Sequence, residues 1–285
     1  MSTHLFEESV LSKPYFDREG LIVAVEDGKP IGFVHAGFGP NEEETTLETD
    51  WGVTCLIMTR PGTCESEIRT DLLRCSEQYL RSRGAMVLYG GCIRPLTPFY
   101  LGLYGGAEQA GVLDTDDAIQ QLYLSNDYRE IDRTFVLQCD LNSFRPVVNR
   151  DQMAIRRRSK METLLAPPVT TWWHACVWGQ FERTEFRLLD RRTSEVLASA
   201  LFRSMEPWAN CSGMQALGLI GVEVKPEHQK KGLATFVLSE SFKSLRQQGV
   251  AMIEAATMIQ NQAALKLYQK LGFQRVGSGA VYRKE

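Results

Sequence analysis

The stretch "LIGVEVKPEHQKKGLATFVLSESFKSLRQQG", residues 219–249, decides the fold because its hydrophobic period changes halfway along. Ile220, Val222 and Val224 alternate with other residues, which predicts a strand with these three on one face. Pro226 closes it, since proline has no N–H to give to a ladder. Ala234, Leu238, Phe242 and Leu245 then recur at the spacing of a helix stripe packed on a sheet. Between strand and helix stand Lys230, Lys231 and Gly232. The first turn of a helix leaves backbone N–H groups unpaired, with the positive end of the helix dipole behind them. Phosphate oxygens reach such amides where no Cβ intervenes, which fits Gly232 and the small Ala234, and the lysines add charge. Two readings follow: a turn built to hold a diphosphate, or an ordinary turn with two solvated lysines.

The chain repeats itself, and a repeat governs architecture before any local reading does. A shift of 165 lays "RPGTCESEIRTDLLRCSEQYLRSRGAMVL" on "KPEHQKKGLATFVLSESFKSLRQQGVAMI" without a gap, so that Pro61 meets Pro226 and Gly84 meets Gly249. The same shift pairs the hairpin-like "LIVAVEDGKPIGFVHAGF" with "FRLLDRRTSEVLASALFR". Further on the shift is 145, pairing Ala118, Leu122 and Tyr123 with Ala263, Leu267 and Tyr268. The first copy therefore carries an insertion, "CIRPLTPFYLGLYGGAEQAG" at 92–111, whose Gly, Pro and aromatic content reads as an ordered loop. Each copy runs hairpin, strand, helix, strand, helix, strand, which predicts an α/β layering. The expected division is a first domain at 1–140, a connecting helix and linker at 141–168, and a second domain at 169–285. Ile155, Met161 and Leu165 mark the connecting helix, with Pro167 and Pro168 as its stop.

A chain of 285 residues with 44% hydrophobic and 24% charged residues has ordinary globular composition. No apolar run approaches the roughly 20 residues a membrane helix needs, and the polar, acidic "MSTHLFEESV" is unlike a secretory leader. The expected location is the cytoplasm, with no membrane partner. A net charge of −3 offers no footprint for a nucleic acid. Seven cysteines without a C-x-x-C pair suit neither a disulfide framework nor a zinc site, so no metal is expected.

Neither the P-loop pattern nor the dinucleotide fingerprint occurs. What does occur is "VKPEHQKKGLA" at 224–234 followed by "NQAALKLYQKLGF" at 261–273. In order and with a strand between them, these resemble the pyrophosphate loop and the later helix of the GCN5-related N-acetyltransferase (GNAT) superfamily. The likeness covers about 184–285 well and the first half more loosely, and the paired arrangement resembles tandem members such as mycothiol synthase. The resemblance implies two tandem GNAT-like domains, each a mixed central sheet flanked by helices. It also implies transfer of an acetyl group from acetyl-CoA to a primary amine by direct attack in a ternary complex. The rival reading is a non-catalytic acyl-CoA-binding or regulatory module. As an internal pseudo-dimer, the chain is expected to be a monomer.

Residue by residue, the resemblance gives Val222, Glu223 and Val224 to the pantetheine and thioester, and Gln229, Lys230, Lys231, Gly232, Leu233, Ala234 and Thr235 to the pyrophosphate. Asn261 either contacts CoA or caps its helix. Tyr268 is the expected proton donor to the leaving thiolate, with a core tyrosine as the plain alternative. The family's usual glutamate position falls on Gly218, so the base stays open: Glu223 comes first, His174 and Glu206 after it, with a water-relayed base as the further alternative. Cys176 near His174 in "WWHACVW", read as a strand, is better explained by buried tryptophans. In the first copy Cys64, Glu67 and Arg69 replace Gln229, Gly232 and Ala234, and Asp116 and Asp127 replace Asn261 and Gly272. That copy reads as degenerate and unable to hold CoA in the family manner. Its insertion, "TPFYLGLYGG" above all, either walls the substrate site or packs on its own half.

Overall fold

The computed structural model describes residues 3–62, 64–103 and 106–285. A short helix α1 (Thr3–Phe6) precedes the hairpin β1 (Leu21–Glu26) and β2 (Lys29–Pro40). Its turn residues Asp27 and Gly28 both have positive φ, as a two-residue hairpin of this hand requires. The first half continues with β3 (Leu47–Thr59), α2 (Glu65–Ser82), β4 (Val87–Gly90), β5 (Val112–Leu113), α3 (Asp117–Ser125) and β6 (Arg129–Asp140). Then come α4 (Arg150–Arg158), β7 (Ser159–Leu165), α5 (Trp172–Trp178), the hairpin β8 (Arg183–Asp190) and β9 (Val196–Ser204), and α6 (Glu206–Ser212). β10 (Ala216–Val224), α7 (Leu233–Gln247), β11 (Met252–Met258), α8 (Gln262–Lys270) and β12 (Gln274–Lys284) follow.

All the strands join one mixed sheet in the order β1-β2-β3-β4-β12-β6-β11-β10-β9-β8-β7, with β5 beside β12. Only β3/β4 and β10/β11 are parallel. Both parallel pairs stop early. β3 meets β4 from Trp51 to Thr54, and β10 meets β11 from Ala216 to Leu219, positions related by the same shift of 165. Beyond them β3 and β10 stay paired on their outer sides with β2 and β9, and the sheet parts. The last strands are exchanged. β6 of the first half pairs with β11 of the second, β12 of the second pairs with β4 of the first, and β6 and β12 pair with each other. The boundaries expected at 140 and 169 therefore do not separate two sheets.

The expected connecting helix is only partly helical. Asn149 caps α4 by accepting from the Gln152 N–H at 2.9 Å, and the helix ends at Arg158. Met161 and Leu165 lie on β7, paired with β8 at the sheet edge. Six residues from Ile155 to Met161 is not a helical repeat, so the stripe read there was never one face. On one face of the second half, α7 buries Leu238, Phe242 and Leu245 against Phe186, Phe202 and Ile253. Removing the Phe242 ring would cost about 3–5 kcal/mol. In the first half Leu72, Leu73 and Leu80 of α2 and Leu122 of α3 form the matching core. The insertion packs against both halves: Leu96 lies with Val53, Leu101 with Trp173 and Ile220, and Ala107 with Met205, Ala216 and Met252. Tyr104 and Gly105 of "TPFYLGLYGG" lie outside the described residues. No helix among the described residues is long and apolar enough to cross a membrane.

Candidate active site

Where β10 leaves β11 it also bulges: its register to β9 slips between Leu219 and Gly221. The bulge turns the side chains over. Leu219 packs in the α7-side core, Ile220 on the opposite face with Trp173, Val177 and Trp178, and Val222 and Val224 again on the α7 side. Ile220 therefore does not share a face with Val222, as plain alternation had predicted. From Ile220 to Val224 the inner edge of β10 has no strand beside it among the described residues.

β10 runs into a single turn of 3₁₀ helix, Pro226–His228, and then the glycine turn. Lys230 (φ +58°) and Gly232 (φ +80°) are both left-handed. Glycine at 232 is thus required by the backbone before any ligand is considered. Gln229 Nε2 donates to the Val224 carbonyl (3.3 Å), Lys231 Nζ to that of Glu227 (2.7 Å) and Gln152 Nε2 to that of Gly232 (3.2 Å), which hold the loop in shape. No side chain caps the N-terminus of α7. Leu233 and Thr235 are buried, so only their backbone is open to a ligand, whereas Gln229, Lys230 and Lys231 are exposed.

At the equivalent end of α2, Glu65 in the first turn accepts from the Gly62 N–H (3.3 Å), the Thr59 hydroxyl (3.4 Å) and Arg69. Its carboxylate and the Arg69 guanidinium occupy the turn ahead of α2, although the first turn of α2, like that of α7, has no side-chain cap among the described residues. Glu67, the residue singled out from sequence, is exposed and plays no such part.

Asn261 caps α8, accepting from the Ala264 N–H at 3.1 Å. Tyr268 on that helix is 7% exposed and packs against Phe273, ring centroids 5.0 Å apart. Burial first, then the charge of Glu108, pushes its hydroxyl up to about 12. It keeps its proton throughout the neutral range.

The other sequence candidates are scattered. Glu223 is exposed and lines a cavity of about 310 Å³ with Arg94, His174, Trp178, Arg183 and Gly221. Glu206 is exposed in the first turn of α6 and lines neither this cavity nor the larger one. "WWHACVW" is the helix α5, capped by Thr171, whose hydroxyl accepts from the His174 N–H at 3.1 Å. Trp173, Val177 and Trp178 are its buried face. Two residues apart on a helix do not share a face, so His174 and Cys176 form no pair.

Sequence reading missed Glu108, Arg94, Arg203 and Glu254. Glu108 is on the insertion, its side chain 15% exposed, with Arg94 Nη1 3.5 Å from its Oε1. Arg94 also donates to the Ile220 carbonyl of the bulge at 2.9 Å. Burial above all lifts the Glu108 carboxyl to about 7, against the lowering influence of Arg94 and Arg203. Glu108 lines a second cavity of about 640 Å³ with Thr54, Ile57, Tyr123, Trp208 and Glu254. Arg94, its ion-pair partner, lines the smaller cavity.

Residues 151–273, which hold the parting strands, the turn and the Tyr268 helix, match the acetyltransferase (GNAT) family. The likeness to the GNAT family is carried by this stretch. Over 72 residues, 25% of this chain, it is 36% identical to the L-amino acid N-acyltransferase MnaT of Escherichia coli (strain K12), a match spanning 42% of that protein, less than half its length. Its fold is shared with a GCN5-related glucosamine N-acetyltransferase region of a fungal multi-domain GH3 beta-N-acetylglucosaminidase (TM-score 0.66, 16% identity, 92% of this chain and 32% of that one). It is shared too with a tandem GNAT protein from the clavulanic acid biosynthesis pathway (0.62, 12%, 92% and 81%). The finer likeness to mycothiol synthase rests on the sequence motifs alone.

Proposed function

We propose that the chain transfers an acetyl group from acetyl-CoA to a primary amine by direct attack in a ternary complex, at a site in its second half. One observation carries this reading: β10 parts from β11 at the place where the chain then runs into the uncapped N-terminus of α7, with Tyr268 buried on the next helix. The diphosphate of CoA would take the backbone amides of Gly232 to Thr235, beside Lys230 and Lys231. The pantetheine arm would lie along the unpaired edge of Ile220 to Val224 and receive backbone hydrogen bonds there, one of them to the thioester oxygen as it gains charge. Full proton transfer from a hydroxyl near 12 to a thiolate near 8.5 is uphill by roughly 5 kcal/mol. Tyr268 therefore works as a hydrogen-bond donor that steadies the departing sulfur.

The acceptor would enter through the 310 Å³ cavity, which reaches Ile220, Gly221 and Glu223 on the other face of β10. Its lining mixes carboxylates with Arg94, Arg183 and Arg187, and Arg183 Nε has no hydrogen-bond partner among the described residues. Such a lining suits an acceptor with charges of both signs. An acceptor panel should accordingly begin with L-amino acids, for which the curated relative is named, and add an amino sugar and a polyamine. Thiol release from acetyl-CoA with the panel, and acetylated product by mass spectrometry, is the expected result. Tight acetyl-CoA binding with no product from any amine would leave the binding-module reading instead.

A further inference from the structure

We propose that Glu108, carried by the loop inserted in the first half, is the base that takes the proton from the attacking amine in the second half. This rests on the acetyltransferase reading above and deepens it. Gly218 of β10 has no side chain, and the insertion fills the space beside it. A Cβ on Gly218 would lie 2.7 Å from the Cβ of Ala107 and 2.9 Å from its Cα. Ala107 is bolted there from both neighbouring strands. Arg203 of β9 donates through Nε to the Ala107 carbonyl (2.7 Å) and also bonds that of Gly106, while Glu254 of β11 accepts from the Ala107 N–H (2.7 Å). Arg203 is 1% exposed and lies over the Phe181 ring at 4.3 Å, so this clamp is itself held in place.

The next residue is Glu108, and its surroundings fix where the carboxylate stands. Arg94 ties it to the carbonyl of the bulge residue Ile220, and Tyr268 of α8 feels its charge from across the parting. The charged groups facing it are Arg94 on its own loop, Arg203 on β9 and Glu254 on β11, with Tyr268 on α8. Its Oε1 is buried with the Arg94 guanidinium 3.5 Å away as an ion-pair partner, and meets no hydrogen-bond geometry among the described residues. Other acids nearby are engaged or misplaced. Glu254 spends one oxygen on the Ala107 N–H and the other on Gln138 Nε2 (2.7 Å), Asp116 caps α3, and Glu223 is exposed.

Chemistry requires such a group. An amine is mostly protonated at neutral pH, and a carboxylate at its ordinary value is too weak a base to relieve it. A carboxyl lifted by burial to about 7 accepts a proton readily near neutrality. The ammonium first gives one proton to solvent, and as the carbon–nitrogen bond then forms from the neutral amine, a second proton passes from nitrogen to the Glu108 carboxylate. The carbon–sulfur bond breaks with its electron pair on sulfur, steadied by Tyr268. The proton on Glu108 then returns to the thiolate by way of solvent, leaving amide, free thiol and the original carboxylate.

The test compares wild type, Glu108→Gln and Glu108→Asp, using acetyl-CoA and the amine panel. In wild type, kcat/KM should rise with pH through a limb near 7. Glu108→Gln should lose that limb and at least about a hundredfold in turnover, with acetyl-CoA affinity within about twofold of wild type by calorimetry. Glu108→Asp should be slowed but keep a limb. Folding is monitored by melting. A carboxyl raised in the folded state binds a proton that the unfolded chain has already released, so its burial lowers stability as pH climbs toward 7 and above. Glu108→Gln should therefore melt at or above the wild-type temperature at pH 8. Wild-type turnover with an unchanged limb in Glu108→Gln overturns the assignment while leaving the acetyltransferase standing. So does a loss of acetyl-CoA affinity as large as the loss of turnover. A wild-type protein that binds acetyl-CoA and acetylates nothing overturns both together.

Discussion

The N-termini of α2 and α7 stand at equivalent places in the two halves, each after a strand that leaves its parallel partner following four paired residues. They are finished in opposite ways. α2 turns its own Glu65 back onto the preceding turn and pairs it with Arg69, whereas α7 starts behind a left-handed glycine with no acid in its first turn. The tyrosines differ in the same sense. Tyr123 stacks on Tyr282 at 5.4 Å and lies against Gly90, where a Cβ would come within 2.4 Å of its ring. Among the described residues Tyr268 packs on Phe273 and on no tyrosine, and it feels the charge of Glu108. Two helix ends thus share one backbone plan, and the difference comes from a few side chains at the turn.

The sharpest way to break this contrast is to remove both hydroxyls separately. Tyr268→Phe should lower kcat by about 10²- to 10⁴-fold with acetyl-CoA affinity nearly unchanged, and Tyr123→Phe should leave kcat as it was. Equal rates for the two variants, measured as thiol release, would make Tyr268 a core residue like its counterpart.

Writing the first half's residue into the second half's turn tests the anion end. Gly232→Glu should weaken acetyl-CoA binding about a hundredfold or more, the worth of two lost charge-assisted hydrogen bonds. The left-handed backbone at 232 adds a folding cost of about 1–2 kcal/mol for any side chain. Gly232→Ala carries that strain without the charge and is the control. Calorimetry on the unaltered chain should find one acetyl-CoA per molecule, and two equivalent sites would show that Glu65 does not close α2.

The mildest effect concerns the position where the halves differ in size. Val53 of β3 is fully buried, and its counterpart on β10 is Gly218, whose space Ala107 occupies. Gly218→Ala should cost about 1–3 kcal/mol by overpacking, read as a lower melting temperature. An unchanged melt would mean the insertion is loosely seated and Glu108 with it.

Much of this arrangement was legible before any coordinates. The gapless shift carries hairpin, strand and helix from one half to the other, and the parallel pairs sit in the register it predicts. The glycine turn and the Tyr268 helix carry their own motifs. What stayed hidden was non-local. The β10 bulge leaves no trace in an alternating pattern, so Ile220 was placed on the wrong face. "WWHACVW" reads as a strand with His174 and Cys176 on one face, although Thr171 just before it is a visible helix-start signal. Glu108 could not be found by period or spacing, because a loop rich in Gly and Pro has neither, and its meaning comes from Arg203 and Glu254, distant in sequence. Exchange of β6 and β12 is equally invisible, since either strand satisfies the same hydrophobic pattern beside either partner.

That exchange bears on how the chain is made. On the ribosome, the first half emerges with β4 lacking its neighbour, because β12 is synthesised only after the whole second half. β6 meanwhile waits for β11. Bare strand edges invite pairing with other chains, and contacts this far apart in sequence form slowly. Neither half can finish folding first, so a nascent chain stalled near its middle would be a substrate for chaperones or aggregation. Once β12 arrives, both halves lock in one event, and a nick between them would release no self-sufficient fragment.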